Sequence, residues 1–200
     1  MGETMELLTI FDGQHREIGV KERQAVHRDG DWHETFHCWF VEHDGTEPYI
    51  YLQQRSANKS EFPGKYDITA AGHLGSGETP VIGGLREIQE ELGVTLQESD
   101  LFYKGIIQEE LFAKDLIDRE FCHQFFYYLE ELPEILLNEE VIQIVRMKVN
   151  DLERLVEGKA KSVEAEIVAG APCQRIEITH EELCPHQLDY YREVIMICHT

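Results

Sequence analysis

Short apolar segments rich in β-favouring residues recur along the chain, and turn dipeptides such as Asp12-Gly13 and Asp44-Gly45 separate them. This pattern predicts two hairpins followed by further strands. The predicted strands cover residues 7–11, the segment around Ile18 and Val20, and residues 35–41, 49–53, 66–70, 101–107, 120–129 and 141–149. A polar stretch with a Pro-Gly pair, residues 55–66, predicts a loop.

Helical signals appear at three places after the glycine-rich run of residues 72–77. Thr79 is a good capping residue, Pro80 suits a first helical position and Gly93 suits the position after the last turn, so a helix is predicted over residues 80–92. A second helix is predicted from residue 150 or 151 to about 157, and a third over residues 185–197. Residues 158–178 show no clear period. We expect a single α/β (α+β) domain over residues 1–200, with a core of about 6–150 and a helical extension of about 151–200.

Composition narrows the function classes. The chain has 200 residues with 42% hydrophobic residues, enough for a globular core, and no apolar run comes near the about 20 residues that a membrane span requires. Its net charge of −21 repels nucleic acid, and it opposes a phosphorylated small molecule unless a bound cation reverses the local field. The acidic N-terminus lacks a signal-peptide pattern, and the five cysteines include no C-x-x-C pair. These features favour a reducing cytoplasm without a membrane or nucleic-acid polymer as partner.

The helix predicted over residues 80–92 carries the candidate chemistry. Its apolar stripe is formed by Val81, Leu85, Ile88 and Leu92. Glu87, Glu90 and Glu91 share an adjacent arc of about 100° at 3.6 residues per turn. Like charges at this spacing repel one another, and a hard divalent cation such as Mg²⁺ or Mn²⁺ would neutralise them and also bind phosphate oxygens. Glu78, on the glycine-rich loop that begins at Gly72, can approach the same place.

A solvated acidic helix face is the plain alternative, but the whole string from Gly72 to Val94 argues against it. The string reads G-x5-E-x7-R-E-I-Q-E-E-L-G-V, a pattern that average residue usage would produce in fewer than about one in a hundred thousand such chains. It resembles the Nudix box in every fixed position. The resemblance implies the Nudix fold, a mixed β-sheet sandwiched between helices. It also implies a hydrolase that uses divalent metal to cleave a diphosphate linked to a group X, and homodimers are frequent among similar proteins.

The same resemblance assigns roles to the residues of the box. Glu87, Glu90 and Glu91 would be metal ligands, Arg86 would orient a glutamate, and Glu78 would support the loop or the metal. The interior glycines Gly83 and Gly84 each cost the helix about 1 kcal/mol against alanine, so close packing is the expected reason for them.

The chain around the box resembles the isopentenyl diphosphate isomerase branch of the superfamily over about residues 6–150. The segments that carry this likeness are residues 52–56, 62–67 and 70–73. His33, His73, Asp118 and Glu120 match metal-ligand positions of that isomerase and His27 lies close to another, so a second metal site is one interpretation. Ala71 stands where the isomerase has its proton-transferring cysteine, and an alanine cannot transfer a proton.

Residues outside the box complete the candidate site. Glu91 and Glu120 are the candidate general bases, and Glu109 and Glu110, predicted on a loop, are weaker ones. Arg55 and Lys65, on the loop before the box, are candidates for binding phosphate oxygens, and Gly72 for presenting its backbone N–H. For Glu120 a simple ion pair is the alternative, and for the basic residues a solvated loop.

These observations predict a pyrophosphohydrolase of the Nudix type, dependent on Mg²⁺ or Mn²⁺, that acts on a nucleoside diphosphate-X or related small molecule. Two alternatives stay open. An isomerase of prenyl diphosphates would yield an allylic product without releasing phosphate. A Nudix-fold sensor would be stabilised by a nucleotide ligand without turning it over.

Overall fold

The alternating pattern becomes a mixed β-sheet in the computed structural model, which describes residues 6–59, 61–113, 116–172 and 174–200. Its strands are β1 (Leu7–Phe11), β2 (Glu17–Glu22), β3 (Trp32–His43), β4 (Pro48–Arg55), β5 (Tyr66–Ile68), β6 (Ala70–His73), β7 (Phe102–Ala113), β8 (Leu116–Leu129), β9 (Val141–Lys148), β10 (Ser162–Ala169) and β11 (Arg175–Thr179). Its α-helices are α1 (Arg23–Asp29), α2 (Pro80–Leu92), α3 (Val149–Val156) and α4 (Leu188–Cys198). Cys173 and the first five residues, which enter the cysteine and signal-peptide expectations, lie outside the described residues.

Strand β3 is the centre of the sheet. β8 runs parallel to it over eleven residue pairs, from Trp32↔Arg119 to Glu42↔Leu129. β6 pairs antiparallel with the middle of β3, and β4 and β1 pair with its two ends. The sheet continues through β9, β10 and β11 on one side and through β2 on the other. This confirms the mixed sheet, and it brings β6 and β8 together beside β3.

The two faces of the sheet bury two separate cores, as side-chain alternation along β3 requires. Trp39 and Val41 pack with α3 and α4 on one face. Phe36, Cys38 and Phe40 lie on the other face with Ile88 and Leu92 of α2. The predicted sandwich of a sheet between helices is therefore confirmed.

Helix α2 begins and ends where its signals predict. The Thr79 side chain accepts a hydrogen bond from the Ile82 backbone N–H (3.4 Å), and Pro80 occupies the first position. Gly93 follows the last turn with φ 67°, a left-handed conformation that glycine adopts without strain. Local chemistry alone therefore determines the limits of this helix.

The buried face of α2 is displaced from the predicted stripe. Ile88 and Leu92 are buried, whereas Val81 and Leu85 are only half-buried. Glu91 is buried with them. The buried face of α2 therefore includes a carboxylate, which the spacing of its apolar residues does not predict.

The two interior glycines of α2 are explained by close packing. A Cβ atom at Gly83 would lie 2.6 Å from Leu74 Cδ2, and one at Gly84 would lie 2.0 Å from the Phe36 ring. Both distances are below van der Waals contact, so only glycine lets the helix approach the sheet this closely. The close approach places α2 against β3 and β6.

We predict that Gly84→Ala destabilises the protein, although alanine favours an isolated helix by about 1 kcal/mol. The Phe36 ring is fully buried and cannot move without disturbing the core, so the expected loss is about 3 kcal/mol in the free energy of unfolding. Urea unfolding measures it. Gly13→Ala is the matched control, because its Cβ would be 3.9 Å from the nearest heavy atom, Trp32 Nε1. Equal stability of the two variants would contradict the packing argument.

The last fifty residues differ from the expected helical extension. α3 and α4 lie close to their predicted places, but β10 and β11 between them extend the sheet at its β9 edge. In β10 the buried residues Val163, Ala165 and Ile167 alternate with Glu164 and Glu166, a two-residue period that is short and rich in charge. Helix α1 was also not expected. Among the described residues no helix is long and apolar enough to span a membrane.

Candidate functional site

A cavity of about 490 Å³ lies where α2, β6, the start of β8 and the segment before α4 meet. Among the described residues that line it, carboxylates outnumber arginine and lysine side chains nine to four. The acids are Glu6, Glu61, Asp67, Glu78, Glu87, Glu90, Asp118, Glu120 and Glu140, and the arginines and lysine are Arg23, Arg55, Arg86 and Lys59. The surplus of negative charge would attract cations into the cavity.

Arg86 organises the carboxylates of the predicted box. Its Nε and Nη2 atoms donate to the two oxygens of Glu78 (3.0 and 2.9 Å). Its Nη1 atom donates to Glu87 (2.7 Å) and to Glu90 (3.0 Å), and Nη2 also reaches the His73 carbonyl (3.3 Å). One guanidinium therefore holds three glutamates and the end of β6 together, which is the arrangement expected of an orienting residue.

Glu78 ties the glycine-rich loop to the helix. Its Oε2 atom accepts a hydrogen bond from the Gly75 backbone N–H (2.8 Å) as well as from Arg86. The hydrogen bonds from Arg86 hold the pKa of the Glu78 carboxyl below its usual value. Glu78 is therefore a charged support for the loop.

Glu87 lies directly over Gly72. A Cβ atom at Gly72 would be 2.2 Å from the Glu87 carboxyl carbon, so any larger residue there would displace the carboxylate. Burial raises the pKa of Glu87 to about 7, although Arg86 opposes the shift. Gly72 therefore makes room for a candidate metal ligand.

Glu91 is buried beneath the cavity wall with 2% of its surface exposed. Its Oε2 atom accepts hydrogen bonds from Gln53 Nε2 (3.1 Å) and from the Ala71 backbone N–H (3.2 Å), and its Oε1 atom is 3.9 Å from Lys59 Nζ. Burial raises the pKa of Glu91 to about 8. The described residues that line the cavity do not include Glu91, but they include Ala71 and Lys59, which it contacts.

Glu90 is the most exposed of the three helix carboxylates, with 56% of its side chain accessible, and it lines the cavity rim. Among the described residues, the groups of three or more ligand atoms within 4.8 Å of one another do not include the set Glu87, Glu90 and Glu91. Arg86 draws Glu87 and Glu90 to itself, whereas Glu91 is held by Gln53 and the Ala71 backbone. The structure therefore brings Glu87 and Glu90 to the cavity and leaves Glu91 outside its lining.

Three histidines meet at the end of β6, whose last residue is His73. His27 Nε2 is 3.1 Å from His73 Nε2, and the rings of His33 and His73 are stacked with centroids 5.1 Å apart. Asp118 Oδ1 lies 3.4 Å from His33 Nε2 and 3.5 Å from His27 Nε2. Ligand atoms of His33, Asp118 and Glu120 also lie within 4.8 Å of one another. The five residues that resemble isomerase ligand positions are therefore gathered in one cluster.

This histidine cluster leaves polar atoms unsatisfied. His33 Nε2 and Asp118 Oδ1 are both fully buried and have no hydrogen-bond partner. Burial lowers the pKa of His33 to about 3, so its ring is neutral, and burial with repulsion from Glu120 raises the pKa of Asp118 well above its usual value. Neutral imidazoles beside a carboxylate form a donor set that suits a divalent metal ion.

Glu120 lines the cavity near the start of β8, two residues after Asp118. Burial, and then the nearby Glu109, raise the pKa of Glu120 to about 8. Its Oε2 atom is 3.6 Å from His37 Nε2 and 3.5 Å from Cys122 Sγ. A carboxyl group with such a pKa in a cavity has the properties of a proton acceptor near neutral pH.

Of the two basic residues predicted to bind phosphate oxygens, only Arg55 lies at the cavity. Arg55 lines the cavity, with its guanidinium donating to Asp67 Oδ2 (3.1 Å) and to the Glu61 carbonyl (3.1 Å). Lys65 points away, because its ammonium donates to the carbonyl of Glu181 and the described lining of the cavity does not include it. Arg55 is therefore brought to the site, and Lys65 is not.

Asp67, Glu109 and His186 were missed as a group by sequence reasoning. His186 Nδ1 is 2.7 Å from Glu109 Oε2, and His186 Nε2 is 2.8 Å from Asp67 Oδ1. Glu109, expected on a loop, lies in β7, which extends six residues beyond the predicted strand. An isolated Pro-His pair before a helix gives no signal of this contact.

Ala71, the residue predicted to stand at the position of the isomerase cysteine, lies in the cavity wall. Cys122, whose Sγ atom is 3.5 Å from Glu120 Oε2, is fully buried, and burial raises the pKa of its thiol well above the usual value. The cavity wall at residue 71 therefore offers a methyl group and no acid.

Sequence comparison finds relatives over most of the chain. The model of the NUDIX domain matches residues 15–168. A Nudix hydrolase of Clostridium acetobutylicum is 36% identical over 197 residues, covering 95% of each chain. An isopentenyl-diphosphate Δ-isomerase of Photobacterium profundum is 31% identical over 137 residues, which is 68% of this chain and 76% of the isomerase.

Solved structures show the same fold at low identity. A Deinococcus radiodurans protein superposes with a TM-score of 0.58 at 18% identity, covering 76% of this chain and 90% of its own. A MutT protein from Methanosarcina mazei gives a TM-score of 0.53 at 17% identity, covering 81% and 91%. These likenesses concern the architecture of the sheet and its helices.

Proposed function

The chain belongs to the Nudix hydrolase family, and on that premise we propose that it hydrolyses the diphosphate linkage of a nucleoside diphosphate-X or related small molecule with Mg²⁺ or Mn²⁺. Nudix enzymes generally use divalent metal ions. The observation that carries the proposal is the acid surplus of the cavity, nine carboxylates against four arginine and lysine side chains. A diphosphate would be repelled from such a lining, so productive binding requires cations there.

The carboxylates of the box fit a hard divalent cation. Burial raises the pKa of Glu87 to about 7 and that of Glu91 to about 8. The nearby Arg86 and Lys59 therefore do not supply enough positive charge to offset the burial of these two carboxylates. Oxygen ligands of this kind suit Mg²⁺ and Mn²⁺. Glu87, Glu90 and Glu91, with Glu78 behind them, would hold the ion. A bound divalent cation would neutralise phosphate charge and make a coordinated water more acidic.

The histidine cluster fits a second divalent cation. The unsatisfied His33 Nε2 and Asp118 Oδ1 atoms face each other at 3.4 Å, an arrangement that costs free energy unless a cation occupies the gap. His27 and His73 complete a mixed nitrogen and oxygen donor set, which Mn²⁺ or Zn²⁺ accepts. Two cations in the cavity would neutralise the charge of both phosphates of the substrate.

The chain's own groups divide the remaining work. Arg55 binds phosphate oxygens, since its guanidinium lines the cavity between two fixed acceptors. Glu120 accepts the proton of the attacking water, because it lines the cavity and its pKa is raised to about 8. Glu91 is buried below the cavity, and its role is to hold a cation. Arg86 fixes the geometry of the box.

A prenyl diphosphate isomerase is the second candidate. The histidine cluster and the relative from Photobacterium profundum favour it. The alanine at position 71 argues against it, since that position has no acid to move a proton on carbon.

The four described cysteines Cys38, Cys122, Cys184 and Cys198 are free and buried, which supports a reducing cytoplasm as the place of action.

A substrate panel tests the proposal. Nucleoside diphosphate sugars, dinucleotides, nucleoside triphosphates and prenyl diphosphates are incubated with the protein and Mg²⁺, and phosphate-containing products are separated by ion exchange. We expect metal-dependent cleavage of at least one nucleotide diphosphate. Conversion of isopentenyl diphosphate to its allylic isomer without phosphate release would favour the isomerase instead. Thermal stabilisation by a nucleotide without any turnover would favour a sensor.

A further inference from the structure

Four charged side chains form a buried row that ends at the cavity. Glu109 Oε2 contacts His186 Nδ1 (2.7 Å), His186 Nε2 contacts Asp67 Oδ1 (2.8 Å), and Asp67 Oδ2 contacts Arg55 Nη1 (3.1 Å). The His186 side chain is 3% exposed, and those of Glu109 and Asp67 are similarly buried. The row therefore joins β7, the segment before α4, β5 and the end of β4 through direct contacts.

The charges of this row alternate. Each ring nitrogen of His186 faces a carboxylate oxygen, so both nitrogens must donate and the ring carries a positive charge. Burial alone would lower the pKa of His186, but the charge of the neighbouring Glu109 and the hydrogen bond with Asp67 raise it well above its usual value. The sequence acid, base, acid, base leaves no net charge in the row, which is the condition for burying four ionised groups.

The row is anchored at the His186 end by backbone contacts. The Cys184 backbone N–H donates to the Tyr66 carbonyl (2.7 Å), and the Gln187 backbone N–H donates to Glu109 Oε1 (2.7 Å). Tyr191 Oη donates to the Cys184 carbonyl (2.8 Å). Residues 184–187 are therefore fixed to β5, β7 and α4, so the His186 ring has one position.

We propose that His186 is a positioning residue of the active site, which clamps Asp67 so that Asp67 holds Arg55 where its guanidinium binds the diphosphate. The inference rests on the proposed function and extends it to the last fifty residues, which contribute no residue to the box. Without His186, Asp67 would keep Arg55 and the Ile68 backbone N–H (2.9 Å) as partners, and its carboxylate would be free to turn toward the guanidinium. Arg55 would then be drawn away from the phosphate oxygens.

The contacts of His186 allow a paired test, because two amides imitate the two ring nitrogens separately. His186→Gln places an amide N–H near the Nε2 position and preserves the contact with Asp67. His186→Asn places one near the Nδ1 position, preserves the contact with Glu109 and cuts the contact with Asp67. If His186 had a purely structural role, both variants would weaken binding of the diphosphate analogue to the same extent.

The test measures the binding of methylenediphosphonate, a diphosphate analogue whose carbon bridge cannot be hydrolysed, by isothermal calorimetry with Mg²⁺ present. We expect His186→Asn to weaken binding about 10-fold and His186→Gln to stay within about threefold of wild type. His180→Gln, at an exposed histidine of the same region, is the control and should bind as wild type does. Equal losses in the Asn and Gln variants would overturn the proposal.

A double-mutant cycle with Arg55→Ala shows whether His186 acts through Arg55. If it does, adding His186→Asn to Arg55→Ala weakens binding by no more than about twofold, whereas independent effects would multiply. If His186→Asn does not fold, Asp67→Asn replaces it, and an undiminished affinity in that variant overturns the proposal. Failure of the wild-type protein to bind the analogue at all would overturn the proposed function and this inference together.

Discussion

Removal of divalent metal is expected to lower hydrolysis by at least about 10³-fold, because the acid surplus of the cavity then repels the substrate and coordinated water is lost. The measurement is turnover of the substrate identified by the panel, after dialysis against EDTA and again after Mg²⁺ or Mn²⁺ is restored. Full activity in excess EDTA would contradict the proposed function. Recovery with Mg²⁺ after dialysis is the control against irreversible unfolding.

The metal-free protein is also expected to lose stability as the pH rises. Glu87 and Glu91 have folded-state pKa values of about 7 and about 8, above the ordinary value of 4.5. Between pH 4.5 and about 8 the folded chain therefore keeps protons that the unfolded chain releases. The free energy of unfolding is highest near pH 4.5 and falls until the pH passes about 8. Thermal melts in EDTA between pH 5 and 8 measure this slope, and Mg²⁺ should flatten it. A slope unchanged by Mg²⁺ would show that these carboxylates do not hold the ion.

Glu91→Gln is expected to reduce kcat by at least about 10³-fold while the fold is kept. The amide oxygen can accept the hydrogen bonds of Gln53 and the Ala71 backbone N–H, but it cannot supply the negative charge that holds a cation. The loss of a buried charge should at the same time raise the melting temperature of the metal-free protein at pH 8. Glu98→Gln, an exposed change soon after α2, is the control for both measurements.

The pair Glu91→Gln and Glu120→Gln distinguishes cation binding from proton transfer. Both variants should be slow, but only Glu91→Gln should need a higher Mg²⁺ concentration for half-maximal rate. Glu120→Gln should instead remove the acidic limb of the pH–rate profile, because that limb reports the proton acceptor. Undiminished activity of Glu91→Gln would remove this residue from the site, and an unchanged pH profile in Glu120→Gln would remove it as the base.

The box itself could be predicted because its signals are local. Thr79 and Gly93 determine the ends of α2 through their own backbone and side-chain preferences, and the spacing of the glutamates determines their arc. What the pattern could not show is which carboxylate is buried. Glu91 was expected beside its neighbours, but contacts with Gln53 and Ala71 place it below the cavity.

The histidine cluster shows how much depends on the path of the chain. His27 lies on α1, a helix that the pattern did not predict, and His33, His73 and Asp118 lie on three different strands. They meet because β8 runs parallel to β3 with His33 opposite Glu120, and β6 pairs with β3 on its other side. Only the likeness to a known family gave notice of this cluster before the structure did.

The interior glycines and the His186 row depend even more on contacts between distant parts of the chain. Gly84 is needed because of Phe36, 48 residues earlier, and His186 contacts Asp67 across 119 residues. A helical period or a capping residue acts within one turn and can be read from neighbouring residues. A contact between distant residues exists only after the sheet has chosen its strand order.

The sequence by itself therefore determined the helix of the box, its limits, its carboxylates and the family to which the chain belongs. Tertiary structure alone decided that Glu91 is buried, that Lys65 lies away from the cavity, that three histidines meet two acids and that residues near the end of the chain reach Arg55. The physical reason is range. Backbone preferences and side-chain periodicity act between near neighbours, whereas burial and the pKa shifts it causes arise from every segment packed around a group.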